Sequence, residues 1–384
     1  MKIVHITLRF DSPGGVETTV REVARRQKAA GDEVEVFASD LVDESGWVRA
    51  TEFRAEVDGV PVRRFPARKQ LLPHLSLPTM VGLVDALSGC GADVLHAHSH
   101  RYGHVLQAAA VARREGIPLV VSTHYHPADA WEPAWKKGLL RVEDFGFGAS
   151  AYRVARALVV ESELEARLVG EFSPRERLRV VPPGIALEEW ADPDADRAGG
   201  PALPADYMLF VGRIASNKGL PTLFDALARL PAAERPPLVL MGPPWGENTA
   251  LEARARKLGI ADRLVWLGQV ADRRAYRATL RGARALVLPS AWEAFGLVLL
   301  EAMAAKVPIV ASAVGAVPEV LEGGRSGRLV PYGDPGALAD AIRAIGSEPE
   351  RTAQAVDRGA ARVRSFDWAT SVDRLGAVYR EATA

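Results

Sequence analysis

Two carboxylates, Glu293 and Glu301, frame the run EAFGLVLLE with seven residues between them. The apolar run ALVLPS before it reads as a strand, and the next helix is expected to begin around Ala294 to Gly296. Glu293 then falls in a strand-to-helix loop. The N–H groups of Phe295, Gly296 and Leu297 have no helical partners there and can hold an anion or a sugar hydroxyl. Glu301 follows about a turn and a half further along. Its neighbours Leu299, Leu300, Ala302 and Met303 set it at the edge of an apolar surface, where a carboxylate needs donors. Two vicinal hydroxyls of a ribose would serve. Taken singly, each acid is as well explained as a helix cap or a surface charge.

A second pair follows the strand-like YMLFVG. In FVGRIASNKGL, Arg213 and Lys218 lie five positions apart, with Lys218 at the start of an expected helix. The helix dipole disfavours cations at that end, and a bound diphosphate would resolve the conflict. Two solvated cations are the alternative. Near the amino end, RFDSPGGVETT puts Gly14 and Gly15 where a loop turns into a helix. The missing side chains let a phosphate approach unpaired amides, or simply make a turn. Neither G-x-G-x-x-G nor G-x-x-x-x-G-K-[ST] occurs in the chain, which removes the main support for a nicotinamide oxidoreductase or a P-loop NTPase.

The elements that must position these groups alternate along the chain. KIVHITL, EVEVFA, ADVLHAH, PLVVSTH and ALVVES read as strands, each trailed by an amphipathic helix. Residues 193–206, rich in Pro, Gly, Ala and Asp, read as a linker. The alternation then restarts with YMLFVG, PLVLMG, RLVWLG, ALVLPS, PIVAS and GRLVP. The expected fold class is α/β, with two doubly wound, Rossmann-like domains of parallel strands facing across a cleft. The expected boundaries are 1–192 and 207–365, with a final helix over about 366–384 crossing back to the first domain. Length supports two domains, since 384 residues exceed the roughly 150 of one ordinary core. Formal net charge is zero, so there is no global pull toward nucleic acid or anionic membrane. A single cysteine, Cys90, excludes a disulfide framework. The chain opens directly on a strand rather than a signal segment, and no apolar run approaches the ~20 residues of a membrane span. The expected compartment is the reducing cytoplasm.

Together these runs resemble the retaining GT-B glycosyltransferases of family 4. GRIASNKG is similar to that family's G-R-x-x-x-x-K-G, and EAFGLVLLE to its E-x7-E. SAVGAVPEVL, GRSGRLVPYGDPGALADAI and GGVETTVREVARRQKAAGDEVEVF resemble further family segments. The likeness covers nearly the whole chain and is strongest over 207–342. Two departures are Pro183, where the family often has Asn, and Ala316, where it often has a second Gly. The resemblance implies transfer of a hexose from a nucleoside diphosphate sugar, a UDP- or GDP-sugar, to a hydroxyl acceptor, with retention. Arg213 and Lys218 would hold the diphosphate. Glu293 with Ala294, Phe295, Gly296 and Leu297 would hold sugar hydroxyls and phosphate. Glu301 would bind the ribose, and Gly14 and Gly15 would close on the phosphate. His124, in STHYHP, matches a histidine that contacts the sugar, with His126 as its neighbour. Base contacts are expected from backbone near WLGQV, at Val270.

No cofactor is expected beyond the nucleotide-sugar co-substrate. No metal is expected either, because no D-x-D motif ends a strand and DPDAD lies in the linker. The partners expected are the donor and a saccharide or lipid-linked hydroxyl acceptor, with no nucleic acid. VRRFPARKQLLPHL mixes Arg63, Arg64, Arg68 and Lys69 with Phe65, Leu71 and Leu72, which suits either a solvated loop or peripheral contact at the inner face of a membrane. A non-hydrolysing nucleotide-sugar epimerase and a sugar-nucleotide-binding protein without turnover are the competing readings.

Overall fold

The computed structural model describes residues 1–12, 14–43, 48–68, 78–127, 134–192, 200–244, 246 and 248–384. Most of the expected linker, with most of DPDAD, lies outside these residues, as do Lys69, Leu71 and Leu72. The chain divides into two compact units, 1–184 with 368–384, and 185–367. The first boundary thus precedes residue 192, and the chain returns to the first unit for its last helix.

The first unit holds strands β1 (Lys2–Thr7), β2 (Glu33–Ser39), β3 (Leu41–Asp43), β4 (Val48–Arg49), β5 (Arg54–Val57), β6 (Val60–Phe65), β7 (Ala67–Arg68), β8 (Thr79–Met80), β9 (Val94–His98), β10 (Leu119–Ser122), β11 (Ala157–Val160) and β12 (Leu178–Val180). Its main sheet runs β12-β11-β10-β9-β1-β2-β6-β5, all parallel except the β5–β6 hairpin. The central strands β1, β9, β10 and β11 are buried on both faces, as parallel strands covered by helices are. Alternation gives the two faces different chemistry. Val4 and Ile6 of β1 and Leu95 and Ala97 of β9 enter one apolar core with Val105, Ala108 and Val111 of the helix Gly103–Glu115. His5, His96 and His98 point the other way, and β1 and β9 pair His5 with His96 in register. That second face is covered by helix Trp368–Thr383, which packs on β9, β10 and the helix Gly15–Ala29.

The second unit holds β13 (Met208–Val211), β14 (Leu238–Met241), β15 (Leu264–Gly268), β16 (Ala285–Leu288), β17 (Ile309–Ser312) and β18 (Arg328–Val330) in the parallel order β15-β14-β13-β16-β17-β18. Apolar cores lie on both faces. Leu209, Val239, Leu286 and Leu288 serve one, and Met208, Phe210, Leu238, Leu240 and Val287 the other. The helix Leu220–Arg229 shows the matching periodicity, burying Leu220, Leu223, Phe224 and Leu227 on one stripe. Both sheets are therefore doubly wound, as the alternation predicts. Among the described residues, no helix is long and apolar enough to cross a membrane.

Candidate functional site

In the second sheet the strand order reverses between β13 and β16, which is where doubly wound sheets hold their ligands. The loops that leave these two strands carry the residues singled out from the sequence. They are stitched together by backbone, Ala291 N donating to Asn217 O at 3.0 Å. Gly219, at φ 74°, packs so closely that an added Cβ would lie 1.8 Å from Pro289 O. This contact brings Lys218 Nζ to 2.7 Å from Glu293 Oε1. Ser290 Oγ donates to the same oxygen at 2.6 Å. The Glu293 carbonyl accepts from Ala316 N at 3.1 Å. Gly315, at φ 54°, lies under Glu293, where a Cβ would meet its carbonyl oxygen at 1.9 Å. Three loops thus fix one carboxylate, and the Lys218 and Glu293 side chains keep 17 % and 13 % exposure.

Arg213 is exposed at the start of the loop that follows β13. Ala294, Gly296 and Leu297 are partly buried, and Phe295 is buried with its ring edge-on to Phe366 at 5.5 Å. Gly296, at φ 89°, caps the helix Leu297–Ala304, one position beyond the expected start. Glu301 stands on this helix, where Tyr276 donates to Oε2 and Arg273 Nη1 lies 3.5 Å from Oε1. Burial raises the Glu301 carboxyl above its ordinary range, while Arg273 opposes it. Arg273 also covers the Tyr276 ring at 5.1 Å and reaches Glu189 at 3.3 Å. Tyr276 and Arg273 were not singled out from the sequence; their signal is the i, i+3 pair in the helix Arg273–Arg281. Val270 is half-buried against the core beyond β15.

In the first unit, Gly14 is extended at φ 169° and precedes the helix Gly15–Ala29. The Glu17 carboxylate covers it, since a Cβ on Gly14 would lie 2.0 Å from Glu17 Oε2. Arg9 Nε binds the other oxygen at 2.9 Å. Nothing lies within 4 Å of a Cβ built on Gly15.

His124 follows β10 in a left-handed backbone conformation, φ 41°, unusual for a residue with a side chain. Its imidazole is 5 % exposed, with Nδ1 2.9 Å from Glu161 Oε1 and Nε2 3.4 Å from His98 Nδ1. Burial lowers its proton affinity, but Glu161, Glu165 and Glu17 outweigh burial and raise it. Glu165 accepts from Thr123 Oγ1 and from the amides of Tyr125 and Glu161 at 2.5–2.6 Å. Burial and Glu161 push its carboxyl up to about 7 against those three bonds. Ser162 caps the same helix, Glu163–Val169, so the S-x-x-E signature was available in the sequence. His126 is exposed, and its carbonyl accepts from Arg101 at 3.2 Å.

Two buried polar clusters were not anticipated. In one, Asp144 accepts from His100 and Arg101, each at 2.7 Å, and from Tyr125 at 2.9 Å. Burial opposes ionisation of Asp144, but His100 and Arg101 hold it below the usual carboxylate range. In the other, among the described residues, His5, His96 and His98 bring a ring nitrogen each within 4.8 Å of one another, a spacing a metal ion could use. Both nitrogens of all three rings already have hydrogen-bond partners. Burial pushes His5 down to about 4, and lowers His96 and His98 well below the ordinary value. The sequence signal was the H-x-H alternation of β9.

Comparison with known proteins gives two family matches, glycosyl transferases group 1 over residues 194–362 and glycosyltransferase family 4 over residues 13–189. D-inositol 3-phosphate glycosyltransferase 1 of Catenulispora acidiphila is 33 % identical, covering 96 % of this chain and 91 % of its own. The D-inositol 3-phosphate glycosyltransferase of Xylanimonas cellulosilytica is 32 % identical over 100 % and 96 %. In fold, the chain matches sucrose-phosphate synthase from Thermosynechococcus elongatus with a TM-score of 0.79, 23 % identity and coverage of 99 % and 98 %. It also matches Anabaena HepE, solved with UDP and glucose, with a TM-score of 0.77, 21 % identity and coverage of 98 % of each chain.

Proposed function

This chain belongs to family 4 of the GT-B glycosyltransferases, the group 1 transferases, and from that premise we propose a specific reaction. It moves a hexosyl group from a nucleoside diphosphate sugar to a hydroxyl of a polyol phosphate, with retention and without a metal ion. The observation that carries this reading is the Lys218–Glu293 pair at the switch point of the second sheet. When the glycosidic phosphate bond breaks, negative charge grows on the departing diphosphate while the sugar becomes oxocarbenium-like. Lys218 and Arg213 supply the opposing charge in place of a metal, aided by the amino end of the helix Leu297–Ala304. The donor phosphate competes with Glu293 for the Lys218 ammonium, and Glu293 turns to the sugar hydroxyls. Glu301, braced by Tyr276 and Arg273, takes the ribose hydroxyls, with the base near Val270. Of the first-unit residues, Gly15, with nothing within 4 Å of a Cβ built on it, is the candidate for phosphate contact, and His124 is the candidate for contact with a hydroxyl of the sugar.

The acceptor oxygen attacks the anomeric carbon on the face the diphosphate leaves. The new C–O bond forms as the phosphate C–O bond breaks. The acceptor proton passes to the departing phosphate oxygen, and configuration is kept. The names of the relatives make an inositol phosphate the first acceptor to test, and the UDP in the Anabaena structure makes UDP-hexoses the first donors. The test incubates purified protein with UDP- and GDP-hexoses, with and without D-inositol 3-phosphate, and reads products by NMR. The expected result is a glycoside of the donor's anomeric configuration, formed only with acceptor. Epimerised donor without acceptor, or binding with no turnover for any pair, would overturn the reading.

A further inference from the structure

We propose that Gln27, held by Tyr379 of the C-terminal helix, sets the direction of a buried hydrogen-bond chain that keeps His124 doubly protonated. The chain runs through the polar face of the first sheet. His124 Nε2 meets His98 Nδ1 at 3.4 Å, and His98 Nε2 meets His5 Nδ1 at 3.0 Å. His5 Nε2 meets Gln27 Oε1 at 2.8 Å, and Gln27 Nε2 donates to Tyr379 Oη at 3.2 Å. Tyr379 Oη meets His96 Nδ1 at 2.6 Å, and His96 Nε2 meets Ser122 Oγ at 2.8 Å.

A neutral imidazole has one donor and one acceptor nitrogen, so each ring transmits the polarity it receives. The Gln27 carbonyl oxygen faces His5 and can only accept. His5 must therefore carry its proton on Nε2 and accept on Nδ1. His98 in turn donates from Nε2 and accepts on Nδ1, which leaves His124 Nε2 as the donor. Nδ1 of His124 faces the Glu161 carboxylate and donates as well. Both nitrogens bear protons, and the ring is an imidazolium. Tyr379 accepts from the amide's NH2 side while donating its own proton to His96, so the amide and the His96 tautomer can only turn together. The reverse polarity is equally saturated. It needs the Gln27 amide flipped, every ring in its other tautomer, and His124 neutral. The proton on His124 and the orientation of Gln27 are thus one variable, although the two residues share no contact.

The charged and titratable groups around His124 come from several elements. Glu161 and Glu165 lie beyond β11, Glu17 with its partner Arg9 on the first helix and its approach, and His98 and His96 on β9. Burial places His5, His96 and His98 below the range in which they would take a second proton at neutral pH, so they serve as neutral relays. Gln27 and Tyr379 are positioning residues. They act on His124 only through this chain.

The test is site-resolved NMR titration of the eight histidines in the full-length protein, without substrate. The proposal predicts that Gln27→Met, which removes the obligatory acceptor, lowers the His124 midpoint by about one pH unit or more, tenfold in proton affinity. Gln27→Glu keeps an acceptor and rescues the midpoint, and Tyr379→Phe lowers it by a smaller step. An unmoved His124 midpoint in both Gln27→Met and Tyr379→Phe overturns the proposal. Should Gln27→Met fail to fold, Tyr379→Phe and Gln27→Glu decide it by the same readout. A kinetic arm rests on the transferase reading above: kcat falls as pH rises through the His124 midpoint, and Gln27→Met moves that limb to lower pH. A midpoint that moves while the limb stays supports the relay and counts against the role given to His124 in transfer.

Discussion

The two units solve the placement of charge in opposite ways. In the second, Lys218 and Glu293 stand on loops at strand ends, partly exposed, each within a few residues of a motif visible in the sequence. In the first, His5, His96, His98 and Tyr379 are buried within the sheet's polar face, and they come from segments as far apart as β1 and the last helix. A site that meets a charged ligand can leave its charges near water and let the ligand complete the pairing. A site buried before any ligand arrives must satisfy every polar atom internally, and neutral histidines can do so at either nitrogen.

The sharpest break between the units is expected in turnover. Lys218→Ala should lower kcat by ~10²–10³-fold, the usual loss when one transition-state charge donor is removed, with little change in the melting temperature. Glu293→Gln should behave similarly. Near-wild-type kcat in either variant, with donor and acceptor in hand, would detach the pair from catalysis.

Acid should separate the units next. His5 has its proton affinity lowered to about 4, so below the unfolded value of 6.5 the unfolded chain takes up a proton that the native state does not. Stability is therefore lost as pH falls from 6.5 toward 4, by up to ~1.4 kcal/mol per pH unit for each such group. His96, His98 and His104 add in the same direction. His124 has the opposite sign: its raised affinity contributes stability at low pH that is lost as pH rises through its folded midpoint. Calorimetry from pH 7.5 to 4.5 should show the first unit's transition moving down more steeply than the second's, and parallel movement would contradict the buried neutral array.

Two glycines give a smaller contrast. Gly315→Ala puts a methyl group into the Glu293 backbone at a positive φ, a strain of about 1–3 kcal/mol that also displaces the carboxylate. Gly14→Ala meets only the end of the Glu17 side chain, at an extended φ, and should be tolerated after that carboxylate turns away. Thermal unfolding of the two variants checks this, equal losses being the adverse result. The smallest effect is expected from chelation. Activity should be unchanged by EDTA, and a rate restored only by Mg²⁺ or Mn²⁺ would transfer the role of Lys218 and Arg213 to a metal.

Alternation of strands and helices made both sheets legible, because each parallel strand is a continuous apolar run between helical stretches. The boundary at Gly184 was less so, since the composition shift that marks a linker begins only after it. Glu293 and Lys218 could be found because short motifs carry them. Their direct bond could not, because it depends on Gly219 packing against Pro289. The partners of Glu301, Tyr276 and Arg273, arrive from a helix that precedes β16 and share no motif with it. The histidine chain was hidden for a stronger reason. Its polarity is a property of seven residues in five segments, and no single strand or helix carries more than two of them.

The return of the chain to its first unit has a consequence for synthesis. The second unit, residues 185–367, is an insertion within the first, and its own contacts are complete before Trp368 is added. Tyr379 leaves the ribosome only after all of that insertion. Until then the polar face of the first sheet lacks its covering helix and the amide of Gln27 lacks its acceptor. The amino-terminal unit, first to be translated, is thus the last to be finished, and a nascent chain carries an open, histidine-lined sheet for as long as its downstream half is being made.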